Sequence, residues 1–204
     1  MTKKSKPAKS KNLLGKRESS ILLFIIIMAC LVFSSWGKSS SVQDTSSGKA
    51  LIGGAFELTD QNGKAFSSEQ LKGKKSLVFF GFTNCPSVCP TAMAQISALM
   101  EKLDTSKVQP VFITVDPQRD KPEVIKAFLK NYYAGFIGLT GSPEQLKAVE
   151  KAYKIYSAKT DENANYNMDH SSLIYVMDAN GEYLTHFSGH ETEEEMVAKI
   201  VDGQ

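Results

Sequence analysis

The hydrophobic pattern divides the chain into an early apolar run, a polar bridge and a long stretch that mixes strand and helix periods. Residues 21–33 (ILLFIIIMACLVF) carry no charge, and Ser19, Ser20, Ser34, Ser35 and Trp36 extend the uncharged stretch to 19–36. That is the short end of what spans a bilayer. Residues 37–50, opening GKSSSVQDTSSGK, are polar and Ser-rich, the composition of a flexible linker.

From Leu51 the periods change. Phe56 and Leu58 ahead of Asn62-Gly63 predict a small β-hairpin. Residues 76–82 (SLVFFGF) and 110–115 (PVFITV) are short continuous apolar runs and predict buried strands. Between them Ala92, Ile96, Leu99, Met100 and Leu103 recur at the spacing of one helical face. Asp120, Pro122 and Glu123 predict a helix start, with Asp120 as N-cap and Glu123 closing a capping box. A short strand follows at 136–139, and Ser142, Pro143 and Gln145 repeat the cap logic. The tract 159–167 (KTDENANYN) reads as a polar loop. Residues 173–177 (LIYVM) predict a strand, Asn180-Gly181 a tight turn and 182–187 the return strand; Thr192 and Glu195 cap a last helix. Parallel strand–helix units followed by a hairpin and a closing helix give an α/β sheet with helices on both faces.

Charge adds a direction to this plan. The net charge of the 204 residues is +2, but seven basic residues (Lys3, Lys4, Lys6, Lys9, Lys11, Lys16 and Arg17) precede Glu18. Residues 1–18 are therefore a basic segment that stays cytoplasmic, 19–36 a transmembrane anchor, 37–50 a linker and 51–204 a folded domain outside the cytoplasm. A cleaved secretory signal and a lipoprotein signal modified at Cys30 compete with the anchor. Against the lipoprotein, the apolar run continues through Leu31, Val32 and Phe33. The folded part is mildly acidic, which excludes the basic face that a nucleic-acid binder needs.

The chemistry concentrates in the three cysteines and three histidines. Cys85 and Cys89 follow the carboxyl end of a buried strand, where ligands bind in open α/β sheets. Pro90 is expected at the first helical position, with Cys89 extended at the N-cap because a residue before proline avoids the α region. The CPSVC turn then folds Cys85 over a helix N-terminus that favours thiolate. Two thiolates are soft donors suited to Cu(I) and other thiophilic ions, and they leave room for a third ligand. His170, just before the 173–177 strand, is placed over the cysteine turn if that strand lies beside 76–82. His186 and His190 read as solvated surface histidines. The rival is a redox disulfide. Thioredoxin-type oxidoreductases usually have two residues between the cysteines and a cis-proline facing them; here there are three (Pro86, Ser87, Val88) and Met168-Asp169-His170-Ser171.

Four stretches carry a resemblance: GGAFELTDQNGK, GFTNCPSVCPT, VDPQRDKP and MDHSSLIYVMD. Together they resemble the Sco/SenC family of copper chaperones for cytochrome c oxidase, over roughly residue 53 to the end. The resemblance implies a thioredoxin-like fold with an N-terminal β-hairpin extension. It also implies a membrane anchor and copper held by Cys85, Cys89 and His170. The implied partner is the copper-binding subunit of the oxidase, at its binuclear copper site, with other copper chaperones as further partners. The implied location is a bacterial inner membrane, with the domain facing the periplasm or cell exterior. Asp169 is expected to orient His170 as a supporting carboxylate; a surface turn residue is the plainer reading. Met168 offers a weak thioether, with packing as its plainer role. The VDPQRDKP stretch reads as structural, a turn and a cap. On these residues the chain is a metallochaperone rather than an enzyme. A thiol-disulfide reductase acting on oxidase cysteines and a copper or redox sensor remain open. A peroxiredoxin-like enzyme lacks its catalytic motif.

Overall fold

The centre of the molecule is a strand that needs no polar face. In the computed structural model, which describes residues 51–161, 163 and 166–203, strand β3 (Lys75–Gly81) buries Leu77, Val78, Phe79 and Phe80 completely. It can do so because it has strands on both sides and helices on both faces. Strand β4 (Val108–Thr114) pairs with it in parallel, and β5 (Ile137–Thr140) pairs in parallel with β4. On its other side lies β8 (Ile174–Met177), antiparallel, followed by β9 (Tyr183–Phe187). The hairpin β1 (Glu57–Asp60) and β2 (Ala65–Ser67) adds to the β5 edge, giving the order β2-β1-β5-β4-β3-β8-β9. A separate two-stranded ribbon pairs β6 (Ser157–Lys159) with β7 (Met168–His170). This is the thioredoxin-like fold with an N-terminal hairpin extension.

Four α-helices lie among the described residues: α1 (Val88–Lys102), α2 (Pro122–Leu129), α3 (Pro143–Tyr153) and α4 (Glu193–Asp202). Alternation along β3 sends Phe80 to one face and Gly81 to the other. The Phe80 ring meets Tyr153 of α3 at 5.2 Å, whereas Gly81 faces Cys89 of α1, so α1 and α3 cover opposite faces. The boxes at Ser142–Gln145 and Thr192–Glu195 form as expected. No helix among the described residues is long and apolar enough to cross a membrane. The expectations for 1–18, 19–36 and 37–50 lie outside the described residues.

Three local expectations are corrected. Asp120 is not a cap: α2 starts after Lys121, which makes no side-chain cap bond, and Asp120 is fully buried in other hydrogen bonds. Cys89 is not extended at an N-cap: α1 starts at Val88 after Ser87, with Cys89 inside the first turn and Pro90 third. A first-turn proline forfeits only an N–H that no helical carbonyl would accept. The tract 159–167 is not a plain loop, since Lys159 ends β6, the Thr160 N–H donates to the Asn167 carbonyl just beyond the β6–β7 pairing, and Tyr166 is buried.

Candidate metal centre

Cys85 lies in the loop beyond β3, Cys89 in the first turn of α1, and His170 ends β7. The loop turns back so that the Cys89 N–H points at Cys85 Sγ, 3.4 Å away. This is the expected folding of one cysteine over the helix start. Because β8 pairs with β3 in the register Phe79↔Ile174, the chain just before β8 is carried to the cysteine end of the sheet. His170 Nε2 then stands 3.4 Å from Cys89 Sγ. The two sulfurs and one ring nitrogen lie within 4.8 Å of one another, the only group of three or more His, Cys, Asp or Glu so placed among the described residues.

Each donor is prepared differently. Both cysteines are free; Cys85 is half-buried and Cys89 fully buried. Burial pushes the Cys89 thiol up, the Phe82 backbone pulls it back in part, and Cys85 and Asp120 raise it further. The helix N-terminus therefore does not make a standing thiolate of Cys89; a cation must displace the proton. Gly81 makes room for this sulfur, since a Cβ there would lie 2.9 Å from it. His170 Nδ1 is 2.9 Å from the Ser171 carbonyl. A carbonyl only accepts, so Nδ1 carries the proton and Nε2 presents its lone pair to the sulfurs. Burial lowers the His170 pKa, against the raising effects of the Ser171 carbonyl and of Asp169. The ring stands edge-on to Phe82 and Phe79, at 5.7 and 6.2 Å between centroids.

Two sulfurs and a neutral imidazole, partly shielded from water, form a donor set for a soft, thiophilic cation. The same sulfurs can instead join as a disulfide. The Ser171 carbonyl orients the imidazole, while Asp169 is exposed and acts on it through charge. Met168 is buried in the core. His186, exposed on the return strand, is 2.6 Å from Tyr183 Oη through Nδ1, and His190 is exposed; neither joins the group.

Sequence reasoning missed the residues that hold these donors in place. Asp120 accepts from the Thr83 N–H at 3.0 Å and from the Thr83 and Thr114 hydroxyls, each at 2.6 Å. Thr83 is two positions before Cys85, so Asp120 anchors the cysteine loop. Asp116 and Tyr166, both buried, and the half-buried Arg119 form a second group beside it. The signal was the pair of aspartates in VDPQRD, which local cap logic accounted for too cheaply.

The SCO1/SenC family model matches residues 44–202. The chain belongs to the SCO1/SenC family. A SCO2-like protein of Rickettsia felis is 50% identical over 141 residues, covering 67% of this chain and 69% of that one. The solved structure of Bradyrhizobium japonicum ScoI with copper bound is 42% identical with a TM-score of 0.70, covering 75% of this chain and 99% of that one. BsSco, in which a disulfide switch has been identified, is described as a member of the Sco family of cytochrome c oxidase assembly proteins. It is 27% identical with a TM-score of 0.62, covering 76% of this chain and 95% of that one.

Proposed function

We propose that this SCO1/SenC chain is a copper chaperone that binds one copper ion through Cys85, Cys89 and His170 and delivers it to the binuclear copper site of cytochrome c oxidase. The observation that carries the reading is the convergence of two sulfurs and one ring nitrogen within 4.8 Å. Copper bound to ScoI supports the choice of metal, and the description of BsSco supports the destination. Delivery needs a cation that is held firmly but surrendered to a better site. Two sulfurs and one nitrogen leave the ion undercoordinated, so an incoming thiolate can attack before any ligand leaves. Nothing in this role requires bond-making catalysis, which makes the reading a metallochaperone rather than an enzyme. The folded domain 51–204 is held by the 19–36 segment on the outer face of a bacterial inner membrane, with 1–18 cytoplasmic and 37–50 as tether. A reporter fused after Trp36 that worked only in the cytoplasm would reverse this topology.

The test of the site is a Cu(I) titration of the reduced chain. Cys85→Ser and Cys89→Ser should each nearly abolish binding, and His170→Ala should weaken it and alter the copper spectrum. A His170→Ala variant that bound like the parent with an identical spectrum would remove His170 from the ligand set. A second reading, a thiol-disulfide reductase acting on oxidase cysteines, draws on the two free cysteines and on the disulfide switch in BsSco. Full support of oxidase assembly by His170→Ala, which keeps both thiols, would favour that reading.

A further inference from the structure

The end of the β6–β7 ribbon that carries His170 is held against α3. Ser157 stands opposite His170 in the register. Its hydroxyl donates to Glu150 Oε2 at 2.9 Å, and Lys147 Nζ donates to the same oxygen at 2.7 Å. Glu150 is 4% exposed, so β6 is tied to a carboxylate that water scarcely reaches. One residue further out, Tyr156 faces Ser171. A hydrogen-bonded antiparallel pair exchanges two bonds, each N–H to the other residue's carbonyl. Here half of the exchange is made. The Ser171 N–H donates to the Tyr156 carbonyl at 3.0 Å, but the Tyr156 N–H donates to the Ser171 hydroxyl at 3.2 Å. The Ser171 carbonyl is thereby left for His170 Nδ1, 2.9 Å away.

We propose that Ser171 is a positioning residue for His170: its hydroxyl takes the bond that the ladder would otherwise draw from its own carbonyl, and the freed carbonyl fixes the imidazole with Nε2 unprotonated toward the sulfurs. The proposal rests on the reading of His170 as a copper ligand. A neutral imidazole carries one proton, on either nitrogen. Only the form protonated on Nδ1 has a lone pair on Nε2, the atom that stands 3.4 Å from Cys89 Sγ. The competing donor cannot drift away. Tyr156 is held within reach by the Ser171 N–H at its carbonyl and by Glu150 at the next residue. Without the hydroxyl, the Tyr156 N–H turns to the Ser171 carbonyl, its ordinary ladder acceptor, and draws it from the ring. The imidazole then shifts toward the form protonated on Nε2, where the proton occupies the ligand atom and must move before a cation binds. One hydroxyl thus lets a three-residue strand end on a metal ligand without giving up its last pairing.

The experiment uses the full chain with Cys30→Ser, which leaves Cys85 and Cys89 as its only thiols. The ring is read first by NMR of the reduced, metal-free chain, isotope-labelled at the histidine nitrogens, at a pH where the imidazole is neutral. His170→Ala assigns the signals among the three histidines. The parent should show His170 protonated on Nδ1. Ser171→Ala should move part of the population to the Nε2 form. It should also lower Cu(I) affinity, measured against a competing chelator, by about fivefold, the worth of one neutral hydrogen bond, and by no more than His170→Ala does. Ser171→Thr keeps the hydroxyl and should match the parent on both counts. Ser171→Val has threonine's shape without the hydroxyl; it should match Ser171→Ala, and it carries the comparison if alanine disturbs the fold. A ring that stays protonated on Nδ1 in Ser171→Ala and Ser171→Val overturns the proposal whatever the affinity does, and so does an equal shift in Ser171→Thr. A tautomer shift with parent affinity also overturns it where His170→Ala weakens binding. If His170→Ala itself binds like the parent, the ligand assignment fails instead. The tautomer then judges the exchange of acceptors alone, a shift supporting it and none refuting it.

Discussion

Replacing Gly81 by alanine tests how closely the central strand approaches the metal centre. A Cβ at this position would sit 2.8 Å from Phe79 Cε1, 2.9 Å from Cys89 Sγ and 3.2 Å from Phe112 Cε2. All three neighbours are 0% exposed and have no free volume to retreat into. Overpacking of this kind costs about 1–3 kcal/mol. Loss of the glycine's freedom in the unfolded chain returns about 0.4–1 kcal/mol. The net loss is about 1–2 kcal/mol, which for a domain of this size lowers Tm by about 2–8 °C. The sulfur displaced is the one that faces His170 at 3.4 Å, so Cu(I) affinity should fall together with stability. Gly63→Ala is the control. It has no atom within 4 Å of its would-be Cβ but a φ of +77°, so it should cost stability through backbone strain and leave copper affinity alone. Thermal melts and copper titrations of the two variants give the answer. A Gly81→Ala protein that melted and titrated like the parent would falsify the close packing of β3 against Cys89.

Two further outcomes follow from the same site. Asp120→Ala strands the Thr83 N–H and the Thr114 hydroxyl in a buried place and should cost about 2–4 kcal/mol, read from the denaturant midpoint. Its Cys85 amide should exchange faster; parent-like exchange there would separate Asp120 from the cysteine loop. Burial raises the Cys89 thiol, so copper must displace a proton across the neutral range, while a His170 lowered by burial is already deprotonated there. Cu(I) affinity should therefore rise with pH, by up to about tenfold per unit for each proton displaced. A flat profile would argue against Cys89 as a ligand.

The strands and capping boxes were legible because each signal is local. Five apolar residues within 77–82, with a glycine among them, leave little choice but a covered strand, and Ser142 with Gln145 is a complete box. His170 was legible at one remove, through the pairing of 173–177 with 76–82. The misreadings share a cause, which is that distant partners outcompete local rules. Asp120 has the look of a cap, yet Thr83 and Thr114 bind its carboxylate more fully than a helix start would. Cys89 precedes proline, yet the first turn of α1 absorbs both residues at no cost in hydrogen bonds. The β6–β7 ribbon is invisible to periodicity because each strand has three residues, too few to alternate. It is held from outside, by Glu150 at Ser157 and by Asp116 at Tyr166, just ahead of β7.

Cys89 and His170 are 81 residues apart along the chain. The two thiols are neighbours in sequence, and a chain made from its N-terminus exposes them long before the imidazole exists. During that interval the thiols are open to oxidants and to adventitious ions, with no nitrogen donor to complete a site. Only the pairing of β8 with β3, one of the last steps available to the growing domain, brings the nitrogen in. Maturation therefore has a built-in order: reduction of the thiols and folding come before loading, and a chain cut short before β8 can be oxidised but cannot carry cargo in the complete site.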